Sequence, residues 1–377
     1  MSELLTTAET AARLGVKAET VYAYVSRGLL TNVRPGDRRG SRFDQDEVER
    51  LAERGRAPAG VAERIRTGLT LLTEDEVYVR GHALSTLARE STFEQVARLL
   101  WSGEPRAGAF TAPAALVEAA TGAVAALPRS ARLTDRIRVA VAAAGAADPL
   151  RHDLDPGAVV ARAEGLLATV VRGLGGRPGP VAAGLRPVVP APPRVLDALL
   201  VALADHDLAA STLAARVAAS ARANPYAVVA AGLGALDGQA HGAASVLAHR
   251  FLAEALADPV AALAERLRTG TPVPGTGHRV YRTRDPRFGP VLELVPAGPV
   301  REAVDAVVAR LTGTFPNVDL ALAAVLHTHD LPADAGEALF AIARTAGWVA
   351  HALEEYAEPG LRFRVEGVYV GPRPERR

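Results

Sequence analysis

Residues 277–287 read Gly-His-Arg-Val-Tyr-Arg-Thr-Arg-Asp-Pro-Arg, a polar segment embedded in helical sequence that is rich in alanine and glycine. Two similar islands occur in the same half of the chain, Gly238-Gln-Ala-His241-Gly and Pro316-Asn-Val-Asp319. Two histidines and a carboxylate, each beside glycine or proline, are suited to moving protons on and off carbon and carbonyl oxygen. Nearby arginines offer planar forks that bind carboxylates. The three islands therefore predict an active site.

The composition favours a helical protein with more than one domain. A chain of 377 residues is longer than the chains that fold around one ordinary hydrophobic core, so we expect about two or three domains. Hydrophobic residues make up 49% of the chain and aromatic residues only 5%. The core must then consist of alanine, valine and leucine, whose small side chains let helices approach closely.

Charge and cysteine content exclude several classes of function. The formal net charge is +1, so no global field attracts nucleic acid, and such binding would need a local patch. The chain contains no cysteine, which excludes disulfides, thiolate zinc sites and cysteine nucleophiles. The sequence has neither a signal-peptide pattern nor an uninterrupted apolar run of membrane-spanning length. We expect a cytoplasmic protein that makes no contact with a membrane.

Residues 1–55 form a pattern of their own, followed by a linker at 56–60. Thr6 and Glu9 form a capping box that opens a helix through Leu14, and a second helix is expected over 18–27. A basic loop at 32–42 follows, and Asp44 caps a third helix that ends near residue 54. The order of helix, glycine turn, helix, basic loop and helix resembles a winged helix-turn-helix of the MerR or excisionase type.

This helix-turn-helix pattern suggests contact with DNA. The second helix would present side chains to a major groove, and arginines of the basic loop would meet phosphates. The candidate residues are Thr20, Tyr24 and Arg27 in the helix, with Arg34, Arg38, Arg39 and Arg42 in the loop. The alternative is a relic domain kept as a packing module, because fold resemblance does not establish function.

From residue 61 onward the pattern predicts mainly helices. Ser91 and Glu94 suggest a capping box for a helix that stops at Gly103. Further helical segments are expected over 112–126, 132–145, 156–172 and from 194 to 222, with an irregular connection over 173–193. The alternating segment 361–370 is typical of a strand.

Six fragments, in unbroken order over the last five-sixths of the chain, resemble the citrate synthase family. They are Tyr78-Val-Arg-Gly with 93–104, Asp205-His206 through Arg216, the His241 island, 277–287, Phe315-Pro-Asn-Val-Asp319, and Arg344-Thr-Ala-Gly-Trp348 with His351. The resemblance implies a mainly α fold, a large domain at 61–224 and 326–377, and a small domain at 225–325. The active site would lie in the cleft between these domains.

The resemblance also implies a reaction, in which acetyl-CoA condenses with oxaloacetate and water to give citrate and CoA. Asp319 would be the base, His241 would donate to the thioester oxygen, and His278 would polarise the ketone. Oxaloacetate would be held by His206, Arg287, Arg344 and Arg364, and CoA would contact Arg282, Gly275 and Gly277. The family's tail arginine reaches the partner's site, which implies a homodimer with shared sites. No metal or bound cofactor is implied; the CoA thioester is a co-substrate.

Alternatives remain open at this point. The same machinery would serve a 2-methylcitrate synthase that uses propionyl-CoA, because one methylene changes selectivity by only about 1–3 kcal/mol. A different class is a DNA-binding regulator that senses oxaloacetate or acyl-CoA. Asp319 alone could be a helix N-cap, and His206 alone an ion-paired histidine. Two positions also depart from the family pattern, since Ser245 replaces the usual asparagine and Glu366 follows Arg364 closely.

Overall fold

The computed structural model describes residues 4–26, 28–33, 40–48, 51, 65–239 and 241–363. The chain divides into two compact units, one made of Met1–Ile65 with Phe363–Arg377 and the other of Arg66–Arg362. Each unit has its own cluster of buried hydrophobic residues. No helix in the described ranges is long and apolar enough to cross a membrane.

The first unit is a small helical module with one pair of strands. Strands Leu4–Thr6 and Arg42–Asp44 pair antiparallel, and helices Thr7–Leu14 and Ala18–Ser26 lie between them in sequence. The predicted capping box is present, with the Thr6 side chain accepting from the Glu9 amide. Residues 45–48 and 51 are helical, as expected for the third helix. The core of this module consists of Leu5, Ala11, Val21, Leu30, Phe43 and Val48.

The second unit opens with a small antiparallel sheet that the sequence analysis did not predict. Its strands are Thr70–Leu72, Val77–Val79 and His82–Ala83, paired in that order. Strands of two or three residues are too short to show the alternation that identifies a strand in a sequence.

The rest of the second unit is helical. Its helices are Leu84–Glu90, Phe93–Ser102, Ala114–Ala125, Leu133–Ala147, Pro156–Gly173, Val181–Leu185, Pro193–Leu203, Ala210–Ser220, Pro225–Leu236, Ala243–Ala257, Pro259–Thr269, Phe288–Leu292, Pro299–Val308, Val318–Thr328 and Asp334–Ala357. The predicted helical segments are therefore confirmed, with ends shifted by one or two residues in most cases.

Two helices form the centre of this core because they are apolar around most of their circumference. Val318–Thr328 buries eight of the nine residues 318–326, all except Asp319, and Asp334–Ala357 buries side chains over nearly its whole length. A helix that is apolar on all sides must be surrounded by other helices. Both helices carry predicted site residues, which are thereby held on rigid elements.

Three local predictions differ from the structure. The capping box of Phe93–Ser102 is formed by Thr92 and Gln95, one residue later than the predicted Ser91 and Glu94. The segment 173–193, predicted to be irregular, contains the short helix Val181–Leu185. Of the predicted strand 361–370, residues 361–363 lie in a turn and the others fall outside the described residues. The division into large and small domains stays a prediction.

Candidate active site

Two loops that are about forty residues apart in sequence are joined by backbone hydrogen bonds. The amide of Gly277 donates to the carbonyl of Phe315 at 2.7 Å, and the amide of Asn317 donates to that of Gly275 at 3.0 Å. The Asn317 side-chain amide adds a bond to the Gly277 carbonyl at 2.8 Å. These bonds bring the His278 island beside the Asp319 island.

Glycine is required at 275 for two reasons. Its φ is +78°, a conformation that side chains rarely adopt, and a Cβ there would lie 2.8 Å from the Cβ of Leu320. Gly277, with φ +70°, occupies the same left-handed region. The glycines thus permit the close approach of the two loops, which explains them without reference to a ligand.

His278 is oriented by its own loop. Its Nδ1 accepts hydrogen bonds from the amides of Val280 at 3.1 Å and Tyr281 at 3.4 Å. Burial lowers the pKa of His278 to about 4, and the charge of Arg287 contributes. A neutral imidazole with Nδ1 as acceptor carries its proton on Nε2. His278 therefore presents a neutral N–H donor, the form needed to polarise a carbonyl oxygen.

Asp319 lies in the first turn of Val318–Thr328 but does not cap that helix. The N-cap is Asn317, whose side chain accepts from the Asp319 amide at 2.9 Å. The Asp319 side chain is half-buried, and burial raises its pKa to about 6 although nearby Arg287 lowers it. This carboxylate is ionised at neutral pH and is more basic than an exposed one, as suits a general base.

Arg287 is held by a carboxylate next to it in sequence. Its Nε and Nη2 donate to the two oxygens of Asp285 at 2.9 and 2.8 Å, and both side chains are buried. The Asp285 Oδ2 also accepts from the Val318 amide at 3.0 Å. One acid therefore fixes Arg287 and the start of the helix that carries Asp319.

Arg344 is buried with most of its donors unused. Its Nε donates to the Leu203 carbonyl at 2.9 Å, and its guanidinium lies 4.6 Å from the centre of the Phe340 ring. Neither Nη1 nor Nη2 bonds to any residue in the described part of the chain. Burial lowers the pKa of Arg344 to about 10, so it stays cationic at neutral pH. Two buried NH₂ groups on a cation can bind an anion.

His206 is buried beside both arginines. Its Nε2 lies 2.8 Å from the Tyr281 hydroxyl, and its ring centre lies 5.0 Å from that of His278. The pKa of His206 is well below the usual value because of burial and the charges of Arg287 and Arg344. The ring is therefore neutral. The alternative that His206 is only an ion-paired histidine is wrong, because an uncharged ring cannot form an ion pair.

The residue before His206 is a buried aspartate with several polar partners. The preceding residue, Asp205, accepts from the Thr70 hydroxyl at 2.5 Å and lies 3.3 Å from Nε2 of His351. Burial alone would raise the pKa of Asp205, but His351, Arg344 and Thr70 bring it below its ordinary value. The His351 ring in turn lies 2.7 Å from Arg216.

His241 occupies a tight turn between Pro225–Leu236 and Ala243–Ala257. A Cβ on the next residue, Gly242, would lie 2.4 Å from the Leu236 carbonyl, so the turn requires glycine there. The Nε2 of His241 lies 2.8 Å from the Ser211 hydroxyl, and its ring packs against Phe340 with centres 5.8 Å apart. Burial, with a contribution from Arg344, lowers the pKa of His241 to about 4.

The structure thus brings six predicted residues together, namely Arg287 and Arg344 with His206, His241, His278 and Asp319 around them. Sequence reasoning assigned no role to Ser211, Tyr281 or Phe340, which also contact this group. Ser211 and Tyr281 stand inside the motifs quoted above, but no spacing rule indicates that they touch the histidines. Phe340 lies four residues before Arg344, one helical turn away, which is the available signal.

The other predicted residues are more scattered. Arg282 is exposed, and Ser245 is buried with its hydroxyl donating to the Gly242 carbonyl at 3.3 Å. In the first unit Thr20 is half-buried, Tyr24 packs partly against the small core, and Arg42 is half-buried on its strand. Five residues lie outside the described residues: Arg27, Arg34, Arg38, Arg39 and Arg364. The described residues contain no group of three His, Cys, Asp or Glu side chains that could hold a metal ion.

Fold and site together define a mainly helical protein in which neutral histidines and an aspartate of raised pKa lie beside buried arginines. Residues 63–364 match the family model described as citrate synthase, C-terminal domain, and the chain therefore belongs to the citrate synthase family, whose members are acyltransferase-type enzymes. Residues 4–56 match the model of a helix-turn-helix domain.

Individual proteins are similar to parts or most of the chain. Citrate synthase of Mycolicibacterium smegmatis is 29% identical over 75% of this chain and 86% of that protein. Citrate synthase of the Synechocystis strain is 33% identical over 47% of this chain, which spans 48% of that relative's length. The crystal structure of citrate synthase from Pyrobaculum aerophilum has a TM-score of 0.70 at 25% identity, covering 84% of this chain and 92% of that one. That from Thermotoga maritima has a TM-score of 0.67 at 24% identity, covering 85% and 97%, and shows the fold alone.

Proposed function

We propose that this protein is a citrate synthase that condenses acetyl-CoA with oxaloacetate and water, releasing citrate and CoA. Membership of the family supports this, as do relatives named citrate synthase. A structural neighbour from Thermoplasma acidophilum, with a TM-score of 0.68, 23% identity and coverage of 84% of this chain and 96% of that one, is described as a ternary complex with carboxymethyl coenzyme A and oxaloacetate. We expect the same two ligand classes here.

In the first step Asp319 removes a proton from the methyl carbon of the thioester. The pKa of about 6 leaves it ionised at neutral pH, yet more basic than an ordinary aspartate. His241, whose pKa of about 4 keeps it neutral, donates a hydrogen bond to the thioester oxygen as negative charge develops there. The proton in this hydrogen bond passes to the oxygen as Asp319 takes the one on carbon, so the intermediate is an enol rather than a free enolate.

In the second step the enol carbon attacks the keto carbon of oxaloacetate. The Nε2 proton of neutral His278 passes to the ketone oxygen as the carbon–carbon bond forms, and the enol proton returns to His241 as the thioester carbonyl re-forms. Water then attacks the thioester carbonyl of the adduct and gives one proton back to His278. The C–S bond breaks, the thiolate takes the proton held by Asp319, and CoA and citrate are released. Loss of the thioester makes the overall condensation irreversible.

The buried arginines would bind the two carboxylates of oxaloacetate. Arg287 is preorganised by Asp285, and Arg344 offers two buried NH₂ groups that have no bonding partner in the described residues. Two anionic groups taken out of water need such partners. By resemblance, His206 and Arg364 complete the oxaloacetate set, and Arg364 does so from the partner subunit of a homodimer.

The CoA end of the site is proposed by resemblance as well. Arg282 is exposed, as a residue that meets CoA phosphates should be. The backbone at Gly275 and Gly277 would contact the adenine and pantetheine arm. No bound metal or redox cofactor takes part in the steps above.

The observation that carries the proposal is Asp319, a half-buried carboxylate with a raised pKa, which follows a loop that is hydrogen-bonded to the loop of the neutral donor His278. We expect Asp319→Asn to reduce CoA release by about 10²- to 10⁴-fold while oxaloacetate still binds in calorimetry. The matched control is Asp197→Asn, since burial also raises the pKa of Asp197 but its carboxylate accepts the Phe93 amide away from the site. Near-normal turnover of the Asp319 variant would show that the base is misassigned.

The acyl preference is a separate part of the proposal. A propionyl group adds one methylene, which changes transition-state binding by only about 1–3 kcal/mol. We expect kcat/KM to be higher for acetyl-CoA than for propionyl-CoA when CoA release is followed with a free-thiol reagent. The reverse order would make the protein a 2-methylcitrate synthase.

A further inference from the structure

Ion pairs surround Asp237, the residue at which the turn carrying His241 begins. Asp237 is the C-cap of the preceding helix. Its Oδ1 lies 2.8 Å from Nη2 of Arg132 and 2.5 Å from Nη2 of Arg138. Both arginines also pair with Asp135, at 3.0 and 3.2 Å. The carboxylate of Asp237 is therefore held by two cations that a second acid fixes in place.

The turn after Asp237 is closed by its own backbone. The His241 amide donates to the Gly238 carbonyl at 2.9 Å, and the Gly242 amide donates to the Leu236 carbonyl at 2.9 Å. The second of these bonds ties the end of the turn to the residue just before Asp237. The position of the His241 backbone therefore depends on how firmly the end of the preceding helix is held.

The same ion pairs extend to the helix that provides a neighbour of the His241 ring. Nη1 of Arg132 lies 3.6 Å from Oε2 of Glu337. Glu337 is one helical turn before Phe340, whose ring packs against that of His241. Arg132 thus connects the turn beneath His241 with the helix packed on its ring.

These contacts form a network of two arginines and three acids. Burial alone would raise the pKa of Asp237, but hydrogen bonds from Arg132 and Arg138 bring it below its ordinary value, so it is ionised at neutral pH. An isolated ion pair between side chains as exposed as these contributes little to the stability of a protein. We therefore expect loss of the Asp237 charge to loosen the turn more than it destabilises the whole fold.

We propose that Asp237 is a positioning residue for His241. Held by Arg132 and Arg138, it fixes the turn from which the imidazole reaches the thioester oxygen. The step that depends on this is the first, because His241 acts on that oxygen while Asp319 takes the proton from carbon. The inference rests on the proposed function for the role of His241. Its structural part, that the ion pairs hold the turn, needs no substrate.

Asp237→Asn keeps the size of the side chain and removes its charge. A looser turn lets the His241 ring leave the geometry in which it meets the developing charge, so we expect kcat for CoA release to fall about fivefold. The KM for oxaloacetate should stay within about twofold of wild type, because the residues proposed to bind it are unchanged.

Acetyl-CoA deuterated on its methyl group identifies the step that is slowed. In Asp237→Asn the isotope effect on kcat should be at least as large as in wild type, since removal of the methyl proton has become slower. A smaller isotope effect would place the slowed step after proton removal and would overturn the proposal.

The matched control is Glu254→Gln. Glu254 lies on the helix that follows the turn and pairs with Arg266 at 2.6 Å, with side chains that are 49% and 22% exposed, against 39% and 29% for Asp237 and Arg138. Its loss should leave kcat within about twofold of wild type. Equal effects of the two variants on kcat, including no effect of either, would mean that Asp237 is an ordinary surface charge, and would overturn the proposal.

A double-mutant cycle with Arg138→Gln tests whether Asp237 acts through its ion pairs. Arg138→Gln alone should also lower kcat, and this effect should largely disappear in the Asp237→Asn background. An undiminished effect in that background would mean that the two side chains act independently, which contradicts the proposed network.

Hydrogen–deuterium exchange of the ligand-free full chain separates this inference from the proposed function. The amides of His241 and Gly242 are hydrogen-bonded in the turn, so they should exchange several-fold faster in Asp237→Asn than in wild type or Glu254→Gln. Unchanged exchange would overturn the inference even if CoA release is slower. Faster exchange in Asp237→Asn, when the wild type releases no CoA, would refute only the proposed function.

Discussion

Opposing influences act on the carboxylate of Asp319. Burial raises its pKa, the charge of Arg287 lowers it, and Asp285 adds a smaller rise, with a result of about 6. An exposed aspartate would be a weaker base. An aspartate whose pKa rose well above 7 would be protonated at neutral pH and could not accept a proton. The salt bridge from Arg287 to Asp285 limits the stabilising effect of that arginine on Asp319.

The first prediction concerns the pH dependence of turnover. Asp319 must be ionised to accept a proton, and its pKa is about 6. We therefore expect kcat/KM for acetyl-CoA to fall about tenfold per pH unit below a midpoint near pH 6 and to be level just above it, because kcat/KM reports the pKa of the free enzyme. The measurement is kcat/KM for CoA release between pH 4.5 and 8 in wild type and Asp197→Asn, which should share the midpoint. A midpoint near 4 would indicate an unperturbed base.

The same shift predicts a change in stability. The pKa of Asp319 is higher in the folded state than its ordinary value of 3.8, so the folded protein binds this proton more tightly than the unfolded chain does. As pH rises from about 4 to above 6, ionisation of Asp319 therefore lowers the stability of the fold. Asp319→Asn should then melt at a higher temperature than wild type at pH 7.5, and the difference should vanish below about pH 4. Differential scanning calorimetry at both pH values tests this. A less stable variant at pH 7.5 would contradict the burial penalty.

Among the elements, the helix Pro225–Leu236 contains two glycines with different surroundings. A Cβ on Gly232 would lie 2.5 Å from the buried ring of Trp348, whereas one on Gly234 would meet nothing within 4 Å. We expect Gly232→Ala to lower the free energy of unfolding by about 1–3 kcal/mol through overpacking. Gly234→Ala should raise it by about 1 kcal/mol because alanine favours the helix. Urea unfolding measures both free energies. If the two substitutions change the free energy of unfolding in the same direction, the packing argument is wrong.

Sequence reasoning located most helices because their apolar periodicity and caps are local properties. It could not give the pairing of the 275–277 loop with 315–317, since that depends on hydrogen bonds between segments about forty residues apart. Ser91 and Thr92 both fit the sequence pattern of an N-cap, so the sequence does not distinguish them. The backbone conformation makes Thr92 the cap. The roles of His241, His278 and Asp319 came from the family resemblance, whereas their protonation states required the structure.

On the scale of the whole molecule, the two units have separate cores. The helix-turn-helix module buries residues such as Val21 and Phe43 within itself, and the predicted site residues that the structure brings together all lie in Arg66–Arg362. An arrangement of this kind lets DNA contact and catalysis be tested separately. We expect removal of residues 1–55 to leave kcat/KM for CoA release within about twofold of the full chain.

The same deletion should abolish retention of DNA in a mobility-shift assay, if the module contacts DNA through its second helix and basic loop. Phosphate contacts release counterions, so affinity of the full chain should fall steeply with salt, and Arg42→Ala should reduce that slope by about one. Retention that is equal in the full chain and the deletion would show that the module does not bind DNA. If the full chain binds DNA but releases no CoA, the protein is a regulator with a synthase-like domain. A sensor needs the arginines to bind its ligand but does not need Asp319 as a base.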